Sequence, residues 1–109
     1  MQNVKAAFNH FNLNVVDLEK SIDFYKKALG LEKIGGIDAP DGSFKLVYLG
    51  DERTNFKLEL TWLRDKVGAY NLGDNESHLC MSVDGDYAKW REFHKQMGCV
   101  CFENLEMNL

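Results

Sequence analysis

Two parts of the chain run on one ruler. His10 and Gly30 are 20 positions apart, His78 and Gly98 are also 20 apart, and 68 positions separate the two histidines. At that offset Phe11, Leu13 and Val15 fall on Leu79, Met81 and Val83. Alternation of this kind marks a strand with one buried face, because successive side chains point to opposite sides of a sheet. A duplicated βα unit with a histidine opening each copy therefore constrains the fold more tightly than any bulk property.

The helical half of each copy is equally plain. After the first strand, Leu18, Ile22, Tyr25 and Leu29 recur at i, i+4, i+7 and i+11, and Phe24 and Ala28 widen the stripe. Asp17 suits an N-cap and Gly30 a left-handed stop, so an amphipathic helix of about three turns is expected. A second helix is expected over residues 87–97, with Trp90, Phe93 and Met97 on one face and Gly98 ending it. Between the helices, residues 35–43 read as a break, with two glycines, the only proline and an Asp41-Gly42 hairpin pair. Residues 44–49 and 56–62 read as strands around a turn at 50–53, and residues 77–83 as a further strand after a loop over 68–77. The last residues, from Cys99, read as a short strand and a loop.

Bulk properties narrow the function. A chain of 109 residues makes one domain. Its 13 basic and 17 acidic residues are interspersed and sum to a formal charge of −4, which leaves no basic patch for nucleic acid. No apolar run of about 18 residues is present to span a bilayer, and the first ten residues lack the apolar core of a signal peptide, so a cytoplasmic location without a membrane partner is expected. The three cysteines are an odd number, and Cys99-Val100-Cys101 has the wrong spacing for a thioredoxin or zinc-ribbon site. Buried free thiols, without a disulfide framework, are the expectation.

Chemistry enters through the polar strand faces. In the first strand His10, Asn12 and Asn14 oppose Phe11, Leu13 and Val15. In residues 56–62, Lys57, Glu59 and Thr61 oppose Phe56, Leu58, Leu60 and Trp62, and in 77–83, His78, Cys80 and Ser82 oppose Leu79, Met81 and Val83. If helices cover the apolar faces, His10, Glu59 and His78 project from the uncovered side of one sheet. Two imidazoles and a carboxylate suit a divalent ion such as Zn²⁺, Ni²⁺ or Co²⁺. Taken singly, a strand histidine reads as a surface residue and Glu59 as a solvated charge; the repeat that puts both histidines at equivalent positions tips the reading toward metal. His94 reads as a helix-surface residue. A copy of Glu59 at the same offset would fall near position 127, which is 18 positions past the last residue.

The runs HFNLNVVDLEKSIDFYKKALGLE, LELTW and YNLGDNESHLCMSVDG resemble the bacterial glyoxalase I (lactoylglutathione lyase) branch of the vicinal oxygen chelate superfamily, over nearly the whole chain. The resemblance implies an α+β fold in which paired βαβββ modules form a curved mixed sheet with helices outside. The pseudo-repeat would run over 8–62 and 77–109, with the second module incomplete. It implies that His10, Glu59 and His78 are metal ligands, the set already reached from the strand faces, and that the site is completed across a homodimer. The family's fourth ligand, a glutamate on the last strand of the second module credited with proton abstraction, is expected beyond residue 109. Two glutathione-holding residues of the family are replaced, an arginine by Asn14 and an asparagine in the region of Leu63 and Arg64. Another small thiol can therefore stand in for glutathione.

The activity the resemblance implies is isomerisation of a methylglyoxal–thiol hemithioacetal to an S-lactoyl thioester. A Lewis-acid divalent metal would stabilise the charge developing on adjacent oxygens, and a carboxylate would move the proton between neighbouring carbons. Glu59 would share in that transfer as well as in metal binding. Phe44, Leu46 and Tyr48 could supply an apolar seat for the methyl group, although their plainer reading is core. Lys57 and Arg64 could meet a cosubstrate carboxylate, although their plainer reading is solvated charge. The alternatives within the superfamily are an acyl-CoA epimerase, a thiol transferase, and a non-catalytic binding protein of the bleomycin-resistance type.

Overall fold

The computed structural model describes residues 4–100, which fall into two compact units, Met1–Leu72 and Gly73–Leu109. The first unit holds β1 (His10–Asn14), α1 (Leu18–Leu29), β2 (Glu32–Asp38), β3 (Phe44–Gly50) and β4 (Lys57–Leu63). Its four strands lie in the order β1-β4-β3-β2, with β1 parallel to β4 and the other neighbours antiparallel, so the α+β class with a mixed sheet is as expected.

Helix α1 forms where its periodicity and caps require. The Asp17 carboxylate accepts from the Lys20 N–H at 3.1 Å, and Gly30 closes the helix at φ 70°, a conformation that costs glycine little. Leu18, Ile22, Tyr25 and Leu29 lie against a core of Leu31, Val47, Leu49, Leu58 and Leu60, with Leu13 and Val15 of the first strand region beside them. Leu49 and Leu60 are the largest fully buried side chains. One sheet face is thus covered by the helix, and the opposite face carries His10, Glu59 and their neighbours.

Strand β2 departs from the reading of residues 35–43 as a break. Gly35 and Gly36 look like breakers in sequence, yet both pair with β3, opposite Tyr48 and Val47. A Cβ on Gly36 would stand 2.8 Å from the Leu46 carbonyl oxygen, and the ladder shifts register between Lys33 and Gly35. Gly36 permits close backbone approach beside this bulge, which accounts for a glycine inside the strand. The turn itself begins later: the Gly42 N–H donates to the Ala39 carbonyl at 2.9 Å, and the Ser43 N–H to the Asp41 carboxylate at 3.0 Å.

The β3–β4 connection is organised by Asp51. Its Oδ1 accepts from the N–H groups of Arg53 and Thr54, each at 2.7 Å, and its Oδ2 accepts from the Thr54 hydroxyl at 3.0 Å. These donors, the Thr54 N–H first, hold the carboxyl below the ordinary aspartate pKa. A depressed folded-state pKa contributes stability that is complete above the unfolded value of about 3.9 and is lost as pH falls through the lower folded value. Melting curves across the acid range are therefore expected to show Asp51→Asn less stable than the parent at neutral pH, with the difference closing as the pH falls below the ordinary aspartate value. A constant difference at every pH would dissociate the turn from the charge.

The second unit contains α2 (Tyr87–Gln96). The Asp86 carboxylate accepts from the Ala88 N–H at 2.9 Å, the Trp90 indole N–H donates to the Asp84 carbonyl at 2.7 Å, and Gly98 follows the helix at φ 73°. Both helices of the repeat are thus opened by an aspartate and followed by a left-handed glycine. The strand expected over 77–83 is not formed among the described residues. A strand exists through its ladder, and alternation without a hydrogen-bonded neighbour leaves a segment unassigned. Cys80 and Cys99 are free thiols; Cys80 is exposed, against the expectation of burial, because the strand that would have carried it into a sheet is not paired. Cys101 and the strand expected after Cys99 lie outside the described residues, apart from Cys99 and Val100. No helix among the described residues is long and apolar enough to cross a membrane.

Candidate metal centre

Ladder register sets the uncovered face. Parallel pairing places Asn12 beside Glu59 and Asn14 beside Thr61, and antiparallel pairing places Tyr48 opposite Glu59, Leu46 opposite Thr61 and Phe44 opposite Leu63. His10, Asn12 and Asn14 therefore share one face with Lys57, Glu59 and Thr61 and with Phe44, Leu46 and Tyr48. The polar alternation of β1 that a half-buried strand would not need is accounted for by this face.

His10 and Glu59 meet there, with Nε2 and Oε2 3.7 Å apart. The glutamate side chain is 13% exposed and the histidine 39%. His10 Nδ1 lies 2.6 Å from Asn9 Oδ1. With that oxygen accepting, Nδ1 carries the ring proton and Nε2 presents a lone pair toward the carboxylate. Two acceptors facing each other across this gap want a cation between them. Ligands to one divalent ion at about 2.0–2.2 Å stand up to about 4 Å apart, so the pair fits a metal by donor type and by separation.

The surrounding groups hold this pair. Tyr48 stands opposite Glu59 in the β3–β4 ladder, and the neighbouring carboxylate, first as a hydrogen-bond acceptor and then, after desolvation, by its charge, raises the phenol above its ordinary pKa. The Tyr48 ring also meets the His10 ring edge-on, with centroids 5.7 Å apart and an interplanar angle of 76°. On the other side, the Thr61 hydroxyl donates to Asn12 Oδ1 at 2.6 Å and Asn12 Nδ2 donates to Asn14 Oδ1 at 2.9 Å. The face thus grades from a titratable pair, through neutral amides, to the apolar side chains of β3.

Of the sequence-derived residues, His10 and Glu59 are brought together in the first unit. His78 lies exposed in the second unit, in a stretch without regular structure. Among the described residues no group of three or more His, Cys, Asp or Glu side chains is gathered for a metal ion. His94 is half-buried rather than simply on the surface, with Trp90 and Phe93 ring centroids 5.7 and 5.6 Å from its own. The exposed Arg64 guanidinium is engaged locally: it holds Asp65 through Nε at 3.0 Å and Nη2 at 3.2 Å, and its Nη1 donates to the Asp41 carbonyl at 3.0 Å. Sequence reasoning placed Tyr48 only as apolar lining or core and missed its place opposite Glu59 and against His10. The signal was available in the alternation of Phe44, Leu46 and Tyr48, but its use required the register of the β3–β4 hairpin.

Residues 7–99 match the Glyoxalase/Bleomycin resistance protein/Dioxygenase superfamily. The lactoylglutathione lyase of Neisseria meningitidis is 38% identical over 96 residues, covering 86% of this chain and 69% of the relative. The probable lactoylglutathione lyase of a Synechocystis species is 34% identical over 98 residues, covering 86% and 72%. Among solved structures, the trypanothione-dependent glyoxalase I of Leishmania major superposes with a TM-score of 0.74 at 27% identity, covering 86% of this chain and 68% of that one. Enzymes of the glyoxalase type are generally metal-dependent, which agrees with the donor chemistry of His10 and Glu59. On this match of sequence and fold, the chain belongs to the glyoxalase/bleomycin resistance protein/dioxygenase superfamily, on its lactoylglutathione lyase-like branch.

Proposed function

We propose that the protein is a metal-dependent isomerase of a methylglyoxal–thiol hemithioacetal, giving an S-lactoyl thioester and so removing methylglyoxal. The observation that carries this reading is the His10–Glu59 pair, an imidazole and a carboxylate 3.7 Å apart on an uncovered sheet face. His10 and Glu59 are the ligands in this reading, and His78 joins them on the strength of the 68-position repeat and the family resemblance. A bound divalent ion, Ni²⁺, Co²⁺ or Zn²⁺, supplies Lewis-acid stabilisation of negative charge on substrate oxygens.

The chain's own residues supply the rest. Glu59 is placed to accept a proton from a carbon next to a carbonyl and return it to the neighbouring carbon, since a carboxylate in reach of the substrate does both. Tyr48 stands opposite it on β3, edge-on to His10. Leu46 and Phe44 offer an apolar seat for a small methyl group and exclude water from it. The thiol is met by Asn12, Asn14 and Thr61, which are neutral, and by Lys57 at the end of the same face. A neutral strip of this kind supports a small thiol without committing the protein to glutathione. A homodimer in the cytoplasm belongs to the same reading; the side of β1 away from β4 has no strand paired with it among the described residues, which supports association through an edge.

The test is turnover. Protein stripped of metal and then given Ni²⁺, Co²⁺ or Zn²⁺ is expected to form thioester from methylglyoxal and a thiol, followed by ultraviolet absorbance, and to be inactive without metal. Repeating the assay with glutathione, trypanothione and cysteine ranks the thiols. Folded protein that binds metal but forms thioester with none of them would refute the reaction.

A further inference from the structure

The neutral end of the uncovered face carries two side-chain hydrogen bonds that run from β4 into β1. The Thr61 hydroxyl donates to Asn12 Oδ1 at 2.6 Å, and Asn12 Nδ2 donates to Asn14 Oδ1 at 2.9 Å. A chain of amides can run either way, and its direction decides what it offers at the far end. Run as it is, it ends on the Asn14 Nδ2 hydrogens, which take no partner among the described residues. Run in reverse, it would end on the Asn14 carbonyl oxygen. The separations fix the direction: O–H···O bonds span about 2.5–3.0 Å and N–H···O bonds about 2.7–3.2 Å, so 2.6 Å suits a hydroxyl donating to an oxygen and 2.9 Å an amide donating to one.

We propose that Thr61 is a positioning residue that sets the direction of the Asn12–Asn14 amide chain, and that Asn14 thereby selects a thiol cosubstrate carrying an uncharged hydrogen-bond acceptor, such as an amide carbonyl. This rests on the reading above of the same face as the seat of the thiol. Threonine suits the role because its branched side chain is stiff at χ1, which makes the half-buried hydroxyl a fixed anchor. An exposed asparagine without such an anchor turns about χ2 and offers oxygen and nitrogen alike. Along the ladder, Asn12 lies beside Glu59 and Asn14 beside Thr61, at the end of β1. Two residues of strand advance about 6–7 Å, which puts the Asn14 donors in reach of an acceptor a few bonds from a sulfur seated near Glu59. These donors are neutral, so they add the worth of an ordinary hydrogen bond and draw no carboxylate by charge.

Thr61→Val keeps the shape and removes the hydroxyl, and Thr61→Ser keeps the hydroxyl. Asn14→Asp keeps the oxygen that accepts from Asn12 and removes the outward donor. The methylglyoxal hemithioacetals of N-acetylcysteamine, which has an amide carbonyl, and of 1-propanethiol, which has none, are both uncharged, so their comparison isolates the hydrogen bond. The metal-loaded parent is expected to favour the first by about 3–10-fold in kcat/KM, the worth of one neutral hydrogen bond. T61V and N14D are expected to lose that preference and T61S to keep it. In metal-free protein without ligand, the side-chain amide NMR signals of Asn12 and Asn14 are expected to move in T61V and to return in T61S. A parent that turns over thiols without the preference, or only charged thiols, overturns the proposal, as does a T61V protein that keeps the preference. A parent that turns over no hemithioacetal refutes the proposed reaction by itself. In that event the amide signals decide: displaced in T61V they retain Thr61 as the anchor of the chain, and unmoved they overturn it.

Discussion

Glu59→Gln is expected to lower metal-dependent turnover by about 10²–10⁴-fold, the range for losing a positioned proton-transfer group, and to weaken metal uptake at the same time. The substitution is informative because it changes so little else. Glutamine has the same shape, and its neighbours Leu58 and Leu60 keep β4 buried at 4% and 0% exposure. What is lost is the charge that faces His10 across 3.7 Å and, with it, the basicity that the proposed reaction needs. Initial rates and bound metal, measured on the same preparations, separate the two losses. If metal stays bound and only the rate falls, Glu59 acts chiefly on the proton; if both fall together, it acts chiefly as a ligand. His10→Ala, which removes a donor but no candidate base, is the comparison. Rates for E59Q within a few-fold of the parent would mean that the carboxylate is only a solvated charge.

Leu60→Ala is expected to have the largest effect on stability, about 2–5 kcal/mol. Leu60 is fully buried, pairs with Leu13 of β1 and Val47 of β3, and belongs to the cluster that α1 covers. Deleting its side chain removes apolar contact from both ladders and leaves a cavity that the surrounding strands cannot easily close. Set against a total stability of about 5–15 kcal/mol for an ordinary domain, that is a large share. Urea unfolding midpoints give the value. Leu63→Ala on the same strand, at a side chain 38% exposed on the other face, is expected to cost less than about 1 kcal/mol. Equal losses at the two positions would contradict the assignment of faces.

Sequence patterns resolved the parts of this fold whose causes are local. Helix α1 was legible because Asp17, the 3.6-residue stripe and Gly30 agree on one element. The face of β1 was legible because His10, Asn12 and Asn14 alternate with apolar residues. Strand β2 was not legible from composition, since Gly35 and Gly36 signal a turn unless the partner backbone that crowds Gly36 is known. Residues 77–83 failed in the opposite sense: their alternation is strong, but pairing is a property of two segments. Within the candidate site, His10 and Glu59 were reached by counting faces. Their contact with Tyr48 depends on a register set by the Asp51 turn, which no spacing along the chain encodes.

The pairing of β1 with β4 also bears on the order in which the molecule is made. The Asn12–Thr61 bond closes a separation of 49 residues, whereas β2, β3 and β4 meet through short local turns. Loop-closure entropy makes the long connection the slower one to establish, so the antiparallel ribbon can assemble before β1 docks along it. During synthesis, His10 emerges long before its partner and has no carboxylate to face until β4 has left the ribosome. The facing of His10 and Glu59 is therefore established late, by the same docking step that completes the sheet.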